Sequence, residues 1–345
     1  MGAGLLILSG GCDTFGPRQL PVDRFDYNEA IADSASQQML LNIVRLRYGE
    51  IPFFLAVNSV LTQYVYSGRL GVSAGVGDPT NAPRWALGAS ANALYNERPT
   101  ITYSPLTGQE FATQLVSPIP PEIIFGLVES GWPPEQTMKM TLQRINDLEN
   151  ALVAPTAPTE SRAESTKFSE AIEQFVALAR AALVEVETDD EGNRYLIFST
   201  DNDDATQMQI DRFKNAVGLA VDRSKFRVTT RVIGREQGEV TFRIRSLLDV
   251  MGSLSRGVSA PPEHLDDGRV ARGLTGPPRP IVLEVATQVE PPTNAYVAVK
   301  HEGHWYFVRN TDQDGKLAFS LLLYLFQMQA PLPAGSGPLL TVPTG

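Results

Sequence analysis

Three histidines, one cysteine and several acidic runs are the residues able to hold a metal or attack a substrate. His301 and His304 flank Glu302-Gly303, a pair suited to the two-residue turn of a tight hairpin. Across such a turn the two imidazoles would face each other as a pair of metal ligands does. A zinc site takes three or four ligands, and the spacing ties no further residue to the pair, so no metal is expected. Asp312-Gln313-Asp314-Gly315 echoes the start of a calcium loop but lacks the acid at the twelfth position. An N-cap for the last helix is the expected role. Asp201-Asn202-Asp203-Asp204 is read the same way, and Glu185 and Glu187 as a charged face beside a turn. No Gly-x-Ser-x-Gly elbow, phosphate-binding loop or His-Glu-x-x-His occurs. Gly71, Gly75 and Gly77 do not have the dinucleotide spacing. No catalytic residue and no cofactor are expected. The one enzymatic alternative is a carboxylate-dependent hydrolase of cell-wall glycan, which needs only two acids.

The cysteine has a more specific context. Gly4-Leu5-Leu6-Ile7-Leu8-Ser9-Gly10-Gly11-Cys12 is a short apolar run closing on small residues and the chain's single thiol. It resembles the end of a bacterial lipoprotein signal peptide, which implies that Cys12 is the lipidation site. Residues 1–12 are then a signal remnant and residues 13–26 a tether. Ser9 stands where that pattern has leucine, and no Lys or Arg precedes Cys12; a start further upstream would supply the basic region. The resemblance implies a lipid bilayer as partner and a periplasm-facing envelope location. The outer membrane is favoured, and Asp13 keeps the inner membrane open.

Composition narrows the partners. The chain of 345 residues carries a formal charge of -10 and a pI near 4.9. Nucleic-acid binding needs a basic patch, so no nucleic acid is expected. Hydrophobic residues make up 43 %, enough for a sizeable core. No apolar run reaches the roughly 18–20 residues of a transmembrane helix.

The pattern of the remaining chain predicts an α+β fold, antiparallel hairpins with packed helices. Residues 28–48 read as a helix with Ile31, Ala35, Met39, Ile43 and Leu46 recurring at helical steps, ended by Gly49. Residues 55–103 read as one long β-hairpin. Leu70, Val72, Ala74 and Val76 alternate with glycine and serine, and Trp85, Leu87, Ala89 and Ala91 with small or polar residues. Its arms, about 15–20 residues each, exceed the usual strand several-fold. Two readings are open: an ordinary twisted hairpin lying over the domain core, or one that projects from the core and pairs with a partner protein or with copies of itself in a ring or barrel. Residues 137–150 fit a helix or a strand. Residues 154–158, Ala-Pro-Thr-Ala-Pro, mark a boundary between an N-terminal region (27–153) and a C-terminal α+β domain (160–330).

In that domain Ser161 and Glu164 read as a capping box. The helix after them would bury Phe168, Ile172, Phe175, Val176, Ala179, Leu183 and Val186. Asp203 or Asp204 caps the next helix. Residues 226–232 and 239–245 read as a hairpin with Arg243 and Arg245 on its outer face. Residues 261–280 are a loop, and residues 304–308 a strand before a final helix, with Trp305, Phe319 and Leu322 inside. Residues 331–345 are a Pro/Gly tail, expected to be disordered.

Leu40-Leu41-Asn42-Ile43-Val44-Arg45-Leu46-Arg47-Tyr48, Arg98-Pro99-Thr100-Ile101-Thr102-Tyr103-Ser104-Pro105-Leu106-Thr107-Gly108 and His304-Trp305-Tyr306-Phe307-Val308 with Lys316-Leu317-Ala318-Phe319-Ser320-Leu321-Leu322 resemble an uncharacterised family of bacterial envelope lipoproteins. The resemblance implies no activity. It supports the envelope location. The expected function is a non-enzymatic structural or interaction component of a membrane-associated assembly, as a homo-oligomer or part of an envelope complex. A periplasmic ligand-binding module is the alternative, and aromatics such as Trp132 and Trp305 would then line its pocket.

Overall fold

The computed structural model describes residues 20–76, 85–150, 160–231, 236–271 and 282–329, with side chains for residues 25–59, 100–150, 166–231, 236–271 and 282–329. The fold is α+β, as the pattern predicts. The chain divides into two compact units. One is residues 53–106; the other joins the residues before 53 to residues 107–331.

The smaller unit is a two-stranded ribbon, β1 (Phe54–Val76) against β2 (Trp85–Leu106). The arms are longer than the sequence suggests, 23 and 22 residues, or about 70 Å at the usual rise per residue. A register shift between Val57 and Ser59 marks a bulge at Asn58, whose amide donates to Ser104 Oγ at 2.6 Å. The turn expected near residues 78–83 lies outside the described residues.

The larger unit carries two sheets. Its first helix, α1 (Leu20–Arg47), starts earlier than expected and takes in the end of the proposed tether. Pro21 does not oppose this, because a first-turn proline gives up no helical hydrogen bond. Among the described side chains of α1, those buried lie in its second half. Met39, Leu40, Ile43 and Val44 are buried, whereas Ile31 is exposed.

After α2 (Gln109–Val116), α3 (Pro121–Glu129) and α4 (Pro134–Thr141), the chain forms β3 (Leu142–Ile145) and β4 (Leu148–Glu149). The ambiguous stretch at 137–150 is thus both: a helix and then a tight hairpin. Asn146 sits in that hairpin's turn at φ 49°. The order of the six-stranded sheet is β4-β3-β8-β7-β6-β5, with β5 Val184–Thr188, β6 Arg194–Phe198, β7 Lys225–Thr229 and β8 Glu239–Ile244. Strands from both sides of residues 154–158 share this sheet. The expected boundary there does not separate two units; the structure draws it around the ribbon.

Two other readings change. Helix α5 (Glu160–Arg180) stops before Leu183 and Val186, and Leu178, not Ala179, is buried. Ala182 adopts φ 55°, Leu183 N–H donates to Leu178 O and Ala182 N–H to Ala179 O. That is a Schellman ending without its customary glycine. The side chains of Ser161 and Glu164 lie outside the described residues. Second, β7 and β8 are parallel neighbours, Arg227 opposite Glu239 and Thr229 opposite Thr241, and do not form a hairpin. The segment between them returns to the start of β7, where Gly238 O accepts from Arg227 N–H at 2.8 Å. β8 therefore lies between β7 and β3, and Arg245 just beyond it is fully buried, not outward-facing.

Helix α6 (Asp204–Ala216) is capped by Asp203, whose carboxylate accepts from Thr206 N–H at 2.8 Å. Those hydrogen bonds hold the Asp203 carboxyl below its ordinary range. A depressed folded-state pKa stabilises the fold above the unfolded value of 3.8 and loses that effect as pH falls through the folded value. Asp203→Ala is accordingly expected to lower Tm at pH 7, with the difference from wild type vanishing at pH 2. An equal deficit at both pH values would count against the cap's ionic contribution.

The chain continues through α7 (Leu247–Leu254), boxed by Ser246 and Asp249, and α8 (Pro262–Asp266), a short helix inside the expected loop. It then forms β9 (Ala286–Gln288), β10 (Ala295–His301), β11 (His304–Arg309) and α9 (Gln313–Gln329). Asp312 caps α9 by accepting from Gly315 N–H at 2.9 Å; a Cβ on Gly315 would collide with that carboxylate. β11 is central in the order β10-β11-β9. Both its edges are therefore paired. Tyr306 and Val308 are 0 % exposed, Phe307 is buried, and Trp305 is only half-buried, contrary to expectation. Phe319 and Leu322 are in the core as expected.

Candidate functional site

His264, distant in sequence from His301 and His304, meets them beside Tyr48. The end of α1 sets that tyrosine in place. Glu50 N–H donates to Arg45 O, Gly49 N–H to Leu46 O, and Gly49 adopts φ 76°. This Schellman motif stops the helix at Tyr48 and turns Glu50 back beside it. α1 packs on β10, which brings the tyrosine to the β10–β11 turn. There Glu302 (φ 46°) and Gly303 (φ 84°) form the expected two-residue turn, with His301 opposite His304. His264 arrives from α8.

Tyr48 Oη lies 2.5 Å from His264 Nδ1 and 2.5 Å from the hydroxyl of buried Tyr306. Its ring packs edge-on to His264, His301 and Tyr306. The His264 and His304 rings cross at 85° with centroids 5.0 Å apart. His304 Nε2 is 3.1 Å from Glu263 Oε1, and His304 Nδ1 faces the Glu302 carbonyl at 3.3 Å. His301 Nε2 is 3.2 Å from Glu50 Oε1, off the line of a hydrogen bond, so this buried nitrogen lacks a hydrogen-bond partner. Arg269 ties the rim together, pairing with Asp267 at 2.6 Å and Glu302 at 3.3 Å.

Burial, the neighbouring Arg269 and His304 lower the His264 pKa and keep the ring neutral. Burial raises both phenols, Tyr48 and Tyr306. His264, Tyr48 and Tyr306 thus form a linked run of hydrogen-bonding groups, with Glu263 beside His304 and Glu50 beside His301. Two sets of atoms converge closely enough to share a cation: Glu263, His264 and His304, and Glu50, His301 and Glu302, each within 4.8 Å. The His301/His304 spacing was legible; His264, Tyr48 and Tyr306 were not, because nothing local in the sequence joins residues 48, 264 and 306.

A second feature is a cleft of about 330 Å³ in the larger unit. Phe125, Phe175 and Phe242 line it, with Arg194 and Arg227 at the side; Trp132 and Trp305 do not. Arg194 pairs with Glu122 at 2.8 Å and Arg227 donates to Asn193 at 2.7 Å. The carboxyls held below their ordinary range, Asp189, Asp203 and Asp267, serve a turn, a cap and an ion pair. That is the opposite of the raised acid a glycosidase uses. Cys12 lies outside the described residues.

The third feature is the ribbon edge. The register sets Leu70 opposite Ala91, Val72 opposite Ala89, Ala74 opposite Leu87 and Val76 opposite Trp85. Apolar positions of one arm thus meet apolar positions of the other, and Gly71, Ser73 and Gly75 meet Ser90, Gly88 and Ala86. Pro99 and Pro105 remove backbone donors only toward one end of β2. No third strand joins the ribbon among the described residues.

No helix among the described residues is long and apolar enough to cross a membrane. No protein-family profile, curated protein sequence or solved structure matches the chain.

Proposed function

We propose that this protein is a lipid-anchored, non-enzymatic component of the bacterial cell envelope that builds a membrane-associated assembly through its ribbon. One observation carries the reading: two arms of more than 20 residues that, among the described residues, pair only with each other. A two-stranded sheet is marginally stable in water, and the outer edges of such a ribbon are templates for further strand pairing. Other copies of the chain offer matching edges. Joined side by side they close a ring, which removes every edge at once. The period-two alternation of apolar and small positions is that of strands with one apolar outer face and a tightly packed or wet inner one. The run ending at Cys12, which resembles a lipoprotein signal peptide, supports the envelope location, with the bilayer as partner and the outer membrane as the favoured face.

The test is deletion of residues 68–92 from full-length protein, with mass measured by light scattering in detergent. Wild type is expected as an assembly and the deletion variant as a folded monomer. A monomeric wild type, or an assembly that survives the deletion, overturns the reading. Anchoring is read separately by mass spectrometry of the membrane fraction, with Cys12→Ser expected in the soluble fraction.

The cleft beside Phe125 and Phe175 favours a second reading, a periplasmic module for an apolar ligand. Its two arginines already have partners within the protein, so it offers apolar surface without free charge.

A further inference from the structure

We propose that Glu263, His264 and His304 bind one divalent transition-metal cation of the zinc type, with Tyr48 as the residue that positions His264. Two imidazoles and one carboxylate are the protein ligands of open zinc sites, which leave the fourth place to water or a ligand. Mixed nitrogen and oxygen donors of this kind suit zinc and its neighbours better than calcium or magnesium, which take oxygen alone.

The geometry is already close to that of a bound site. At metal–ligand distances near 2.0–2.1 Å, tetrahedral ligand atoms lie about 3.3 Å apart. His304 Nε2 and Glu263 Oε1 are separated by 3.1 Å, and the set as a whole spans no more than 4.8 Å.

Each imidazole also has its other nitrogen engaged. His264 Nδ1 meets the Tyr48 hydroxyl at 2.5 Å, and His304 Nδ1 meets the Glu302 carbonyl at 3.3 Å. His304 Nε2 faces Glu263, and the Tyr48 contact leaves Nε2 as the ligating atom of His264. Such outer partners fix ring orientation and tautomer in metal sites. Tyr306 in turn holds Tyr48, hydroxyl to hydroxyl at 2.5 Å, and the rim ion pairs Arg269–Asp267 and Arg269–Glu302 tie α8 to the β10–β11 turn. The ligands thus stand on two elements already fastened together. The Glu50, His301 and Glu302 set has one imidazole and two acids, and serves as the internal comparison.

The test uses full-length protein free of any polyhistidine tag, stripped with chelator and titrated with Zn²⁺ against a chromophoric competitor. A single equivalent is expected, and Co²⁺ is expected to give the strong visible absorption of a four-coordinate site. Glu263→Gln and His304→Ala should each weaken binding by at least about 10-fold, and Tyr48→Phe by roughly 10- to 100-fold. Glu263 is exposed, so Glu263→Gln retains the fold, which circular dichroism verifies. The proposal is overturned if wild type takes up no zinc. It is overturned equally if Glu263→Gln and His304→Ala bind as tightly as wild type, or if Glu50→Gln is the variant that loses the metal.

Discussion

Arg245→Met is expected to lower the unfolding free energy by about 3–5 kcal/mol, the range found when one partner of a buried charged network is removed. Arg245 is 0 % exposed and lies just after β8. Its guanidinium donates to Met140 O at 2.7 Å, Lys139 O at 3.2 Å and Asn150 O at 3.4 Å. The first two carbonyls belong to the last turn of α4, where helical carbonyls have no partner within the helix. A cation there also meets the negative end of the helix dipole. The arginine is thus a C-terminal cap supplied from a strand a hundred residues later in the chain. Methionine restores most of the volume but withdraws the donor from these carbonyls; Lys139 O keeps the Asn150 amide at 2.8 Å, whereas Met140 O loses its 2.7 Å charged donor, and a buried acceptor left unsatisfied costs about 1–3 kcal/mol. Burial lowers the Arg245 pKa to about 10, so the group remains charged at neutral pH and the carbonyl bonds are charge-assisted. Urea unfolding at pH 7 reads the effect. A loss below about 1 kcal/mol would show that water replaces the guanidinium at those carbonyls.

Phe213→Ala is expected to cost about 3–5 kcal/mol. Phe213 is 1 % exposed on the inner face of α6 and packs against Phe175 of α5 at 5.6 Å and Phe198 of β6 at 6.0 Å. Phe198 continues the cluster to Phe226 of β7 at 6.0 Å. Removing the central ring leaves a cavity between two helices and a sheet, none of which can collapse alone. Phe213→Leu should recover most of the loss, because leucine keeps the methylenes and fills much of the void. The denaturant midpoint should shift with an unchanged m-value. A changed m-value would indicate altered cooperativity and not a local cavity.

What the sequence showed and what it hid divide along one physical line. Elements fixed by local periodicity or local caps were legible: the inner face of α6, the Asp203 and Asp312 caps, the Gly49 stop and the alternation of the ribbon. The α+β class followed from them. Features set by sequence-distant partners were not. Trp305 and Tyr306 have equal claims to the interior by alternation; α1 and Tyr48 cover the face that Tyr306 shares with Val299 and Val308, and that decides between them. Arg243 and Arg245 look alike in a strand pattern, yet only Arg245 reaches the orphan carbonyls of α4. The parallel β7–β8 pair was hidden because a stretch rich in polar residues and glycine serves a hairpin and a return loop equally well. The histidine cluster was half visible: the hairpin spacing of His301 and His304 is local, whereas His264 and Tyr48 come from elsewhere.

The central place of β8 has a kinetic consequence. β3 pairs with β8 across the whole of α5, β5, β6, α6 and β7, Leu142 opposite Ile244. Closing so long a loop is entropically costly, and sheets built on such non-local pairs fold slowly. β3–β4 and β5–β6–β7 can each form from near neighbours, but they remain two separate half-sheets. During synthesis from the N-terminus, β3 and β7 emerge first and wait, each with an open edge. β8 is the strand whose arrival fills both edges and brings Arg245 to the end of α4, joining the two half-sheets into one cooperative unit.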